Sequence, residues 1–134
     1  MKLQQIDKKT KIKDLQKLFS DAYPYLKIEF YNEPHGEKEL SSIKDRISSR
    51  KIISELDNFK GRGSINITKD RTVADIEAEF YDKFGIALQV SRRMGDLWIE
   101  TSLTDDRTLD MQNQQGKVAS TSKEDTLIEV DFDR

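Results

Sequence analysis

The side chains with the chemistry to catalyse are few and lie far apart in the chain. Its one histidine, His35, stands in a Pro34-His35-Gly36 turn. A Ser–His–acid or Cys–His machine needs a base oriented by a third group. A lone imidazole in a turn has no such group beside it, so His35 reads as a loop residue rather than a base or ligand. Asp105-Asp106 is the one adjacent acid pair of the central segment. Paired carboxylates can do acid–base or metal work. Ahead of a helix they more often complement its dipole, and with no His or second acid cluster beside them capping is the reading adopted here. Gly61-Arg62-Gly63 looks like the opening of a phosphate loop, but it lacks both the third glycine of the dinucleotide spacing and a Gly-Lys-Ser/Thr. It also precedes a strand pattern, whereas a phosphate loop opens a helix whose amides face the anion. It reads as a turn. The chain has no cysteine, so disulfides, thiol catalysis and Cys-ligated metal are excluded. The expectation is a non-enzyme without cofactor or metal. Asp105, Asp106 and His35 are the least poor site for the remaining reading, a small enzyme or ligand-binding domain.

Binding chemistry is better represented. Residues 86–101 alternate about Met94-Gly95-Asp96-Leu97. A two-residue Gly95-Asp96 loop, its glycine first as a type II′ turn requires, sets Met94 against Leu97, Arg92 against Ile99 and Val90 against Thr101. All the apolar residues then share one face; a slip of one residue would turn every side chain over. On the other face Arg93 lies directly opposite Trp98, with Gln89, Ser91, Glu100 and Ser102 beside them. Arginine over tryptophan is a cation–π pair worth about 0.5–1 kcal/mol at an exposed site. Tryptophan with arginine is also the mixture enriched in binding hot spots. Arg93, Trp98, Gln89 and Glu100 are therefore the candidate partner-binding residues. The competing reading has a helix over residues 105–115 cover this face and bury Trp98.

These residues need elements to carry them. Ile12, Leu15, Leu18, Phe19 and Ala22 recur at helical spacing after Thr10, a possible N-cap, and Tyr23-Pro24 ends that helix. Tyr25 to Tyr31 alternates as a strand with Leu26, Ile28 and Phe30 inward. Residues 32–37 form a turn. For residues 38–60 two readings stay open: a helix on the stripe Leu40, Ile43, Ile47 and Ile52, or a short strand over 51–56. Ser64 to Thr68 reads as a short strand with Ile65 and Ile67 inward. Thr72 caps the next helix, with Asp75 three residues on; Val73, Ile76, Phe80 and Phe84 form its buried stripe and Asp75, Glu77, Glu79 and Asp82 its acidic outer side. Gly85 sits where a C′ glycine belongs. After the hairpin, Thr104 or Thr108 starts a helix ending at Gly116, a polar linker follows, and Leu127 to Phe132 alternates as an edge strand or acidic tail.

The pattern predicts an α+β fold: a two-layer domain with a mixed sheet of four to five strands, a strand–helix–strand crossover followed by a β-hairpin, and helices mainly on one face. Residues 1–9 are expected to fray, 10–116 to form the single domain, and 117–134 to be linker and C-terminal strand or tail. The chain's 134 residues suit one domain. Net charge is −2, so no strong global field draws nucleic acid or a membrane. The charge is polarised, however. Residues 2–17 hold six Lys and two Asp, and residues 124–134 hold five acids and one Arg. No apolar run approaches the ~20 residues of a membrane span, and the N-terminus lacks the apolar region of a signal peptide; a cytoplasmic protein is expected.

The stretch Thr72-Val73, Phe84-Gly85-Ile86, Gln89-Val90, Arg92, Gly95, Leu97-Trp98-Ile99, Thr101, Thr104-Asp105, Thr108-Leu109, Gln112-Asn113 and Gly116 resembles an uncharacterised family of small bacterial α+β domains. The resemblance covers residues 72–116 and implies a bacterial cytosolic protein; that family brings no activity and no functional residue to carry over. The function expected is a non-enzymatic module that binds another protein through the Arg93–Trp98 face or the acidic C-terminal strand. The alternative is a nucleic-acid-binding regulator using Lys60, Arg62, Arg92 and Arg93 beside Trp98. No membrane partner is expected, and an exposed edge strand would also allow a homodimer.

Overall fold

The computed structural model describes residues 5–32 and 46–121. The order is α1 (Ile12–Ala22), β1 (Leu26–Tyr31), a 3₁₀ turn (Ile53–Glu55), α2 (Val73–Phe84), β2 (Ala87–Met94), β3 (Leu97–Glu100), a second 3₁₀ turn (Ser102–Thr104) and α3 (Leu109–Thr121). The class is α+β. Among the described residues there is one sheet of three strands in the order β1-β2-β3, antiparallel throughout. The expected mixed sheet of four to five strands is thereby corrected, and with it the crossover.

The missing strand has a physical cause. Ile65 and Ile67 are buried and Asn66 is exposed, as the alternation implied, but the segment carries only isolated bridge positions at Gly63 and Asn66, and side chains take its carbonyls. Lys83 Nζ donates to Ser64 O at 2.9 Å, Arg71 Nη1 to Asn66 O at 3.0 Å, and Tyr23 Oη to Ile67 O at 2.6 Å. The Asn66 side chain also accepts from Thr68 N. Period-two burial reports an extended chain over a core; it does not require a neighbouring strand.

Several boundaries stand as the sequence implies. Tyr23 closes α1. Thr72 Oγ1 accepts from Asp75 N at 3.1 Å, and Gly85 ends α2 with φ +75°. A Cβ at Gly85 would lie 2.1 Å from Asn58 O. The hairpin register is the expected one: Met94 opposite Leu97, Arg93 opposite Trp98, Arg92 opposite Ile99. Gly95 has φ +64°, as both primed hairpin turns require at that place. Other expectations change. Thr10 does not cap α1; its hydroxyl accepts from Asp7 N, and Lys11 is the N-cap. Residues 5–9 are held rather than frayed, since Ile6 is fully buried and exchanges both backbone bonds with Gly63. Residues 46–60 are neither the long helix nor a ladder strand; they hold one 3₁₀ turn and single bridges, Ile52 to Lys11 and Arg46 to Tyr31. Residues 38–45, His35 and the expected C-terminal strand lie outside the described residues.

The three helices contact one face of the sheet, where Leu26, Ile28 and Phe30 meet Leu88 and Val90. Phe30, Phe80 and Phe84 join in tilted contacts at 5.2 and 4.7 Å. Burying each such ring contributes roughly 1.5–3 kcal/mol. α3 begins after Thr108, whose hydroxyl accepts from Met111 N, and it runs through Gly116 to Thr121, past its expected end. The outer edge of β1 is closed by side chains and one loop amide. Ser20, Gln16 and Ile47 N donate to the carbonyls of Leu26, Ile28 and Phe30.

Candidate partner-binding face

With the helices on one side, the opposite face of the sheet carries Lys27, Glu29 and Tyr31 of β1, Gln89, Ser91 and Arg93 of β2, and Trp98 and Glu100 of β3. α3 does not cover Trp98. It packs on the helical face, where Arg92 Nη1 donates to Gln112 Oε1 at 2.8 Å and Gln115 Oε1 at 3.0 Å. Trp98 is 39% exposed. The cation over its ring is not Arg93: Lys27 Nζ stands 5.0 Å from the ring centroid, while Arg93 Nε donates to Gly95 O across the hairpin turn. One strand, β2, separates Lys27 from Trp98, and pairing across it brings them together: Lys27 faces Ser91, and Ser91 faces Glu100, two residues from Trp98. The four-carbon lysine stem spans that distance, while the directly opposite arginine is engaged by a carbonyl of the turn.

The other two candidates serve the face differently. Gln89 is 1% exposed; its Nε2 donates to Val90 O at 2.7 Å and its Oε1 accepts from Ser102 Oγ at 3.5 Å. It is a structural amide and offers nothing to a partner. Glu100 is partly exposed and its Oε2 accepts from Tyr31 Oη at 3.5 Å. Burial first, then the carboxylates of Glu100 and Glu29, push the Tyr31 phenol up to about 12, so it stays a neutral donor.

Beside Trp98 an open groove of about 810 Å³ runs between β1, α1 and residues 46–49. Lys17, Lys27 and Arg46 line it with one acid, Glu29, and the hydroxyls of Ser20, Ser48 and Ser49. Arg46 pairs with Glu29 at 3.4 Å, and Lys17 with Asp21 at 2.8 Å. Three cations, hydroxyl donors and an indole edge make a surface that can hold carboxylates and stack a flat group; they do not make a reaction centre.

The basic edge imagined for nucleic acid is not assembled. Arg92 and Arg93 project from opposite faces, Lys60 Nζ donates to Asp82 O, and Arg62 lines a separate pocket with Lys8 and Lys9. Asp105 and Asp106 do not cap α3, which Thr108 caps. Instead the Asp105 carbonyl accepts from Ala74 N at 2.7 Å in the first turn of α2. Gly61-Arg62-Gly63 is the expected turn, Gly61 with φ +135°. Among the described residues no group of three His, Cys, Asp or Glu could hold a metal ion, and no helix is long and apolar enough to cross a membrane.

One titratable group escaped the sequence reading. Glu77, assigned to the outer side of α2, turns to the sheet, where its Oε2 accepts from Val90 N at 3.2 Å. Burial pushes its carboxyl up to about 8 against the lowering effect of that N–H, with Asp105 and Glu100 adding to the rise. A signal was present. Glu77 lies four residues after Val73 and three before Phe80, which puts it on the flank of the apolar stripe.

Compared with protein-family models, curated proteins and solved structures, the chain matches none of them.

Proposed function

We propose that this chain is a non-enzymatic interaction module that takes an acidic segment of a partner protein into the groove beside Trp98. The observation that carries the reading is the half-exposed Trp98 with Lys27 held over its ring, at the edge of a groove with three cations and one acid. An indole clamped by a lysine stem is a rigid apolar anchor, and anchors of this type dominate binding energy. Lys17, Lys27 and Arg46 supply the charge complementarity that selects an acidic partner over a basic one. Of the four residues first assigned to this face, Trp98 is the anchor, Glu100 and Arg93 lie at its margin, and Gln89 belongs to the scaffold.

The test uses a labelled peptide rich in Asp and Glu, its Lys-rich counterpart and a labelled single-stranded oligonucleotide, followed by fluorescence anisotropy on the full chain. The acidic peptide binds, and Trp98→Ala and Lys27→Ala each weaken it by about five- to thirtyfold, the effect of losing a hot-spot contact. Equal binding by Trp98→Ala, or tighter binding of the oligonucleotide than of the peptide, overturns the assignment.

A further inference from the structure

The groove beside Trp98 has an acidic occupant within reach on its own chain. α3 ends at Thr121, and its last turn is fixed against the hairpin, where Ser120 Oγ accepts from Gly95 N at 3.2 Å. Gly95 stands three residues before Trp98 on that hairpin. The chain therefore leaves α3 at the end of the sheet where the indole stands. Residues 122–134 follow; they lie outside the described residues, and at full extension they reach about 40 Å. The route they would need is shorter. It runs about 10 Å along β3 from Gly95 to Trp98 and about 10 Å more across β2 to Lys27.

The chemistry of that segment answers the groove. Glu124, Asp125, Glu129, Asp131 and Asp133 outnumber Lys123 and Arg134. Ile128, Val130 and Phe132 alternate with the last three acids, so an extended chain shows acids on one side and apolar groups on the other. The groove offers both complements, Lys17, Lys27 and Arg46 for the acids and the indole for an apolar group. Two of its cations are held by surface pairs, Lys17 with Asp21 and Arg46 with Glu29. Such pairs hold little energy, which leaves both cations open to further carboxylates. We infer that residues 124–133 of this chain occupy the groove in cis, and that a partner's acidic segment binds by displacing them. The inference rests on the reading of the groove as a site for acidic segments. A segment tethered this closely acts at an effective concentration in the millimolar range. With an intrinsic Kd on the order of 0.1 mM it lowers the apparent affinity of a competing peptide about tenfold, and it outcompetes a second copy at ordinary protein concentrations.

The experiment compares two full-length proteins, the natural chain and a variant carrying Glu124→Gln, Asp125→Asn, Glu129→Gln, Asp131→Asn and Asp133→Asn. In one isotope-labelled sample of each, Arg134→Cys carries a nitroxide; the chain has no other cysteine. The resonances followed are the indole N–H of Trp98, the chain's one tryptophan, and the amides of Ser48 and Ser49 in the groove. The nitroxide broadens them selectively in the natural chain, and neutralising the acids removes that broadening. Without the nitroxide, a peptide rich in Asp and Glu binds the neutralised variant about tenfold more tightly than it binds the natural chain. Absence of selective broadening, equal broadening in both proteins, or equal measurable peptide affinity for both overturns the inference. Broadening that fades on dilution gives the groove to a second copy and overturns it too. Selective broadening with no peptide binding to the neutralised variant upholds the inference and removes the partner reading alone.

Discussion

At the scale of single residues, Gly116 shows how context reverses a general rule. Read from the sequence, a glycine after a polar helical stretch ends the helix. Here it lies inside α3, and a Cβ added to it would meet Tyr25 Cβ at 2.8 Å, Tyr25 O at 3.0 Å and Arg92 Cγ at 3.2 Å. The glycine is there so that α3 can approach the start of β1. That approach also lets Asn113 Oδ1 accept from Tyr25 N at 2.9 Å and brings Gln112 and Gln115 to Arg92. Gly→Ala inside a helix ordinarily gains about 1 kcal/mol. At 116 backbone atoms must shift, and overpacking of this kind costs about 1–3 kcal/mol. Gly116→Ala is therefore expected to destabilise the fold by about 1–2 kcal/mol net, read from the urea midpoint. A gain in stability would mean that α3 is not seated on Tyr25.

Among the elements, the extended segment at 64–68 replaces the strand that alternation suggested, and one side chain ties it to α1. Tyr23, the residue closing α1, donates its hydroxyl to Ile67 O in the interior at 2.6 Å, and its ring meets Phe19 at 5.4 Å. Tyr23→Phe keeps the ring and orphans a buried carbonyl, a loss of about 1–3 kcal/mol. Thermal unfolding measures it, and amide exchange at residues 64–68 should quicken more than in the β2–β3 hairpin. An unchanged melting temperature would show that Ile67 O is satisfied by other means. The same segment marks how far the elements could be read. Helices with a cap, a stripe and a terminating glycine or proline were legible, as was the hairpin, because its register and turn residue agree. The strand count was not, since Lys83 and Tyr23 reach Ser64 and Ile67 from 19 and 44 residues away, and local spacing carries no sign of them. The Trp98 face was legible as a face, but its cation was not: Lys27 arrives from a strand more than seventy residues away in sequence, on the far side of β2. Glu77 was misplaced because charge on a stripe's flank was taken for solvent exposure.

For the whole molecule, that misplaced carboxylate sets how stability follows pH. Two neighbours in α2 pull in opposite directions. Burial raises the Glu79 carboxyl, but hydrogen bonds from Lys83 and Arg71 more than offset it, and its acidity is net increased. A carboxyl lowered on folding contributes stability above its unfolded value, which is lost as pH falls through the folded one. Glu77 is the reverse case: its folded carboxyl titrates near 8 and its unfolded one at the ordinary 4.5. Between those two values the folded state holds a proton that the unfolded state has released, so folding stability declines as pH rises across that window and levels off above it. Replacing Glu77 by Gln keeps an acceptor for Val90 N–H and removes the titration. The wild type, compared with Glu77→Gln, should therefore lose on the order of 3 kcal/mol between pH 5 and 8.5, somewhat less than the full shift since the group is only partly buried. Chemical denaturation of both proteins across that range decides it. Parallel stability curves would show that Glu77 stays ionised in the fold. A wild type that instead gains on the variant as pH rises would mean that a neighbouring cation holds the Glu77 carboxyl ionised, below its ordinary range.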